Sequence, residues 1–160
     1  MNTSKPKQTK LEKLVAVYEH FGSEISIIPD EWAEKLVKTS KSVVVMHRGI
    51  MSGERKIKPS EMASGLEQGL RDTPDFIAMV SPQWRSDVAK SFRMAIEAKF
   101  PDFLAKDEQR LIKIRERGKI RTDSEYYLIR HLIDVHEGNS ASDLLLQELY
   151  LLVDKFRVKV

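Results

Sequence analysis

Cysteine is absent from this chain of 160 residues, which excludes a disulfide framework, a thiolate zinc site and a cysteine nucleophile. Long apolar runs are missing too. None is longer than Leu149 to Val153, far short of the ~20 residues that a membrane-spanning helix needs. The start is polar: Met1 to Lys10 carries Lys5, Lys7 and Lys10, and no apolar stretch follows that could form a signal-peptide core. It reads as a disordered basic tail ahead of a single domain over residues 11–160. Seven glycines and six prolines are too few and too scattered for a low-complexity linker. These absences point to a cytoplasmic protein with no membrane partner.

What is present is charge. Charged residues make up 32% of the chain and hydrophobic ones 41%, too apolar for a disordered chain and best accommodated by long polar helix faces. The net charge is +3, which permits a nucleic-acid or acidic partner without requiring one. The basic residues concentrate in two stretches, His47 to Lys58 and Arg110 to Arg121.

Periodicity predicts a mainly α single-domain bundle. Leu11, Leu14, Val15, Tyr18 and Phe21 recur at three- and four-residue steps, and Gly22 can end that helix. Asp30 to Lys38 fits a short helix with Trp32 and Leu36 inward. Glu24 to Ile28 alternates and Val43 to Met46 is β-branched, so both fit short strands, with a small β-hairpin or mobile loop expected over residues 43–58. Three helical segments follow. One opens at Pro59 with Met62, Leu66 and Leu70 on its stripe, where Gly65 and Gly69 would permit a close helix crossing. Another follows Pro82, with Trp84, Val88, Phe92 and Ile96, and a third starts at Asp102 and ends at a left-handed Gly118. Thr122 and Glu125 have the spacing of a capping box, and Ser140 is placed to cap a final helix, so Thr122 to Phe156 reads as a helical hairpin.

The motifs that carry chemistry are sparse. There is no HExxH, calcium loop, Walker loop or GxGxxG, and His131 and His136 lie five residues apart, about 140° around a helix, so they cannot chelate one ion. No metal or cofactor is expected, and no catalytic set stands out. Gly49 and Gly53 with Arg48, Arg55, Lys56 and Lys58 before Ser60 form a second basic loop that could cradle a phosphate, with a solvated hairpin as the plainer reading. The stronger signal is Arg110, Lys113, Arg115, Arg117, Lys119 and Arg121, interrupted only by Glu116, with Tyr127 just beyond. Cations beside an exposed ring suit a nucleic-acid strand, and the same residues suit a partner-facing basic surface or simply complement a helix dipole.

Two resemblances bear on function. Arg130 and His136 have the loose arginine-to-histidine spacing that resembles the active-site motif of HEPN-type ribonucleases; the likeness implies Arg130 on the scissile phosphate and His136 activating the ribose hydroxyl. The stretch Arg117-Gly118-Lys119-Ile120-Arg121-Thr122-Asp123-Ser124-Glu125-Tyr126-Tyr127-Leu128-Ile129 resembles the C-terminal part of small bacterial helical proteins, some of them immunity proteins of toxin systems. That likeness covers roughly the last 45 residues, whose glycine stop and capping turn are also what a helical hairpin requires. It implies a stoichiometric inhibitor that covers a partner's surface and needs no catalytic constellation. The expectation is therefore a non-enzymatic protein-binding module, with a nucleic-acid-binding regulator as the alternative.

Overall fold

Thr9 opens the first helix: its Oγ1 accepts the Glu12 N–H at 3.1 Å, which satisfies one of the donors that a helix start leaves free. The computed structural model describes residues 7–158. Most of the expected tail, residues 1–6, lies outside them, and its last residue, Lys10, is already helical. Helix α1 (Lys10–Ile25) buries Leu11, Leu14, Val15, Tyr18 and Phe21, the face that the spacing predicts.

Helix α2 (Glu31–Met51) begins at Asp30, whose Oδ2 accepts the Trp32 and Ala33 N–H groups at 3.0 Å. Its other oxygen takes the Ser81 N–H at 3.1 Å and the Ser81 hydroxyl at 2.6 Å. Burial would raise the Asp30 pKa, but these four donors hold it below the ordinary value. One carboxylate thus caps a helix and ties its start to a turn fifty-one residues away.

Neither expected strand forms. Ile25 closes α1, and Ile28 tucks into the core after the turn. Val43 to Met46 lie inside α2, which runs on to Met51 instead of ending near Lys38. The reason is register: Ala33, Leu36, Val37, Ser40, Val43 and Val44 continue one helical stripe, and packing that stripe on α1 outweighs the modest strand preference of the valines. Gly22 lets the two helices meet, since a side chain there would run into Ser40, whose hydroxyl donates to the Tyr18 carbonyl at 2.6 Å.

Helices α3 (Pro59–Ile77) and α4 (Pro82–Lys99) both start on proline, whose missing N–H costs nothing in the first turn. Gly69 of α3 faces the Tyr18 hydroxyl, which donates to the Leu66 carbonyl at 2.9 Å; Gly65 faces open space. Of the two glycines, only Gly69 serves a close crossing. Lys10 pairs with Glu67, fastening the start of α1 to α3.

A 3-10 turn at Pro101–Phe103 leads into α5 (Leu104–Arg117), which Gly118 ends at φ 75° as expected. Helix α6 (Asp123–His136) starts with Thr122 Oγ1 accepting the Glu125 N–H at 3.1 Å, but the Glu125 carboxylate turns to the Arg121 N–H at 2.8 Å. The final helix α7 (Asp143–Val158) follows a 3-10 turn, Ser140–Ser142, capped by Asn139; Ser140 lies inside that turn and does not cap α7.

The result is a single-domain, mainly α bundle with no strand among the described residues. Its interior has two apolar centres. One is built by α1 to α4 with Leu104 of α5; the other by α6 and α7 with Ile114 and Ile120. Phe92 joins them, edge-on to Phe21 at 5.2 Å and to His131 of α6 at 5.6 Å between ring centroids.

Truncating Phe92→Ala should cost about 3–5 kcal/mol in urea unfolding, the range for a buried aromatic. Gly22→Ala should destabilise, whereas Gly65→Ala should stabilise by up to about 1 kcal/mol through helix propensity alone.

Candidate functional site

The basic stretch at the end of α5 largely neutralises itself. Arg115 makes a two-pronged contact with Glu148 of α7, Nε to Oε1 at 3.0 Å and Nη2 to Oε2 at 2.8 Å. Arg117 does the same with Glu125, both prongs at 2.9 Å, and Nη1 also donates to the Lys119 carbonyl at 3.3 Å. Arg110 donates to the Ser124 hydroxyl at 3.0 Å and lies 3.9 Å from Asp107. These arginines clamp α5 onto α6 and α7. Lys113, Lys119 and Arg121 are exposed and enter no ion pair among the described residues.

The two clamps differ in burial. Side-chain exposure is 19% and 16% for Arg117 and Glu125, against 42% and 40% for Arg115 and Glu148. Hydrogen bonds from Arg117 hold the Glu125 carboxyl at about 2, and Arg115 lowers that of Glu148. Tyr127 is exposed, its ring edge-on to Tyr126 at 5.4 Å, and Tyr126 stacks on Phe156 at 5.4 Å. Tyr127 is thus the ring on the surface.

The second basic loop is a helix-ending turn. The Ser52 N–H donates to the Arg48 carbonyl at 2.9 Å, Gly53 adopts φ 82°, and the Arg55 N–H returns to the Gly49 carbonyl at 3.1 Å. No strand pairing is present in residues 43–58. Arg48, Arg55, Lys56 and Lys58 enter no ion pair among the described residues.

A cleft of about 430 Å³ opens between α3, α4, α5 and α6, a volume that suits a small organic molecule. Phe92, Ile96 and Leu132 line its apolar part, and Arg71, Asp107 and Arg110 its charged part. It gathers Arg110, Tyr127 and His136 from among the residues marked by sequence, and leaves Lys113, Arg115, Arg117, Lys119 and Arg121 outside. Arg130 does not line it either. The two residues of the ribonuclease-like spacing therefore have different surroundings, with His136 Nδ1 lying 3.0 Å from the Ser142 hydroxyl.

His131 also lines the cleft and is nearly fully buried, with its Nδ1 lacking a hydrogen-bond partner. Burial, aided by Arg93, pushes its pKa down to about 3. Asp134, on the next turn, is moved the other way: burial raises it to about 6 against the pull of Arg130 and Arg85. In the sequence His131 stands out only as a histidine too far round the helix from His136 to share an ion, and Asp134 does not stand out at all, because a lone histidine or aspartate on a helix carries no sign of what other helices place around it. Among the described residues no group of three His, Asp or Glu is arranged to hold a metal ion.

No protein-family model matches the chain, and neither a curated protein nor a solved structure matches it.

Removing Arg117 should destabilise the fold more than removing Arg115, since the better-buried pair leaves a carboxylate stranded; thermal unfolding of the two alanine variants checks the order. The buried groups predict a pH dependence of two opposing parts. Unfolding frees His131 to take a proton, so its contribution to stability is lost as pH falls from about 6.5 toward 3. Asp134 contributes in the opposite sense, its stabilisation present below pH 3.8 and lost as pH rises through about 6. In urea titrations between pH 4 and 7, His131→Leu should flatten the acid-side loss of stability and Asp134→Asn should steepen it.

Proposed function

We propose that this is a non-enzymatic protein-binding module of the bacterial cytoplasm, of the immunity or antitoxin kind, that acts by covering a partner's surface. The observation that carries the reading is a set of aliphatic side chains left in water on α5 and α7: Leu144 is 84% exposed, Leu151 60% and Ile112 52%. Leu144, Glu148 and Leu151 follow one another by single turns of α7, and Ile112 lies one turn before Arg115, the partner of Glu148. The aliphatic groups thus flank an ion pair that is already satisfied. Covering them releases roughly 25 cal/mol per Å² of apolar surface, and an exposed apolar group bordered by polar residues is the usual anatomy of a contact surface.

Lys113, Lys119 and Arg121, on α5 and the turn that follows it, add positive charge. The fitting partner surface is apolar at its centre and acidic at its edge, which favours steered association. A nucleic-acid role would draw on the same stretch, but Arg115 and Arg117 are committed to Glu148 and Glu125, which lowers the charge available for phosphates.

The test compares tagged wild type with a Leu144→Asp/Leu151→Asp variant, expressed in the native host. A single stoichiometric partner captured by the wild type and lost from an equally stable variant is expected. Equal capture by both, or self-association of the wild type alone in light scattering, would reject the reading.

A further inference from the structure

The exposed end of the α2–α3 hairpin carries a run of cations that the fold leaves unpaired among the described residues. Between positions 41 and 58 it carries Lys41, Arg48, Arg55, Lys56 and Lys58 against a single acid, Glu54. None of these residues enters an ion pair among the described residues, in contrast to Arg115 and Arg117. Charge that the fold does not use internally remains available to a partner.

The cations are interleaved with aliphatic groups. Lys41, Val45 and Arg48 lie at i, i+4 and i+7 on the solvent side of α2, Met51 is one turn further, and Ile57 follows in the connection. Val45, Met51 and Ile57 are all exposed. The backbone that presents them is held in place: the Arg55 N–H reaches the Gly49 carbonyl, and the Arg55 side chain lies over Gly49 so closely that a methyl group there would meet it at 3.1–3.2 Å. A pre-formed turn loses less entropy on binding than a loose one.

The side-chain chemistry selects among anionic partners. Between Trp32 and Phe76 there is no Trp, Tyr or Phe, and the one imidazole, His47, is only partly exposed, so the segment offers bases little to stack on and has no aromatic anchor for a membrane interface. Aliphatic groups among cations gain most against a surface that is acidic and partly apolar, which is what a protein offers. We infer that the Lys41–Lys58 end of the α2–α3 hairpin is a docking surface for an acidic, partly apolar protein face, with Arg48 and Lys56 supplying charge and Met51 and Ile57 the apolar contact. This rests on the protein-binding reading above and adds a surface distinct from Leu144 and Leu151.

The full chain is titrated with a fluorescent synthetic helical peptide bearing glutamates on one face and leucines on the other, at low and moderate salt, with an unstructured single-stranded RNA and phosphatidylserine vesicles in parallel. Saturable peptide binding is expected, weakened about tenfold by Arg48→Glu/Lys56→Glu and about threefold by Met51→Ser/Ile57→Ser, with thermal unfolding unchanged in both variants. Leu144→Asp/Leu151→Asp should leave peptide binding intact, so failure of the α5–α7 surface and failure of this one are read separately. Absence of saturable binding, equal binding by the charge-reversed variant, or tighter binding of RNA or vesicles through the same residues would overturn the assignment.

Discussion

Phe92 is the contact on which the arrangement of the molecule depends. The two apolar centres draw mainly on different helices, and α4 and α6 meet where one aromatic ring lies against Phe21 on one side and His131 on the other. That junction keeps His131 dry and neutral, and the cleft lined by Phe92 and His131 opens beside it. A buried aromatic at such a junction makes the two halves cooperative, because separating them would expose both centres at once.

Charge is divided between fastening and display. In the C-terminal half, arginines that stand beside one another in the chain reach acids on other segments, Glu148 and Glu125, and hold α5 in place. At the end of the α2–α3 hairpin, comparable basic residues reach no acid among the described residues. Equal local charge density thus has opposite physical meaning in the two places, since the value of a charge to a partner depends on whether the fold has already satisfied it. The aliphatic groups follow the same division, with Leu144 and Leu151 outside while Leu145, Leu149 and Leu152 pack within.

The fold is most legible in the sequence where local rules and tertiary packing agree. Gly118 stops α5 in the left-handed conformation because an open carbonyl end there asks for it, and Thr122 caps α6 by the same local economy. At Val43 to Met46 the two disagree: β-branched side chains favour a strand, and the uninterrupted stripe from Ala33 to Val44 forms a helix against α1. Asp30 has the local pattern of a simple helix start, yet it also binds Ser81 from a distant turn.

Composition and periodicity by themselves determined the fold class, the positions of most helices, the lack of a membrane-spanning helix and the two stretches where cations gather. These follow from interactions within a few residues, which one strand of text contains. Tertiary structure alone decided that Arg115 and Arg117 are committed to Glu148 and Glu125, that His131 and Asp134 are buried with displaced pKa values, and that Arg48, Arg55, Lys56 and Lys58 find no ion-pair partner among the described residues. Pairing and desolvation are set by residues dozens of positions away, and their distance in space is fixed only when the helices pack.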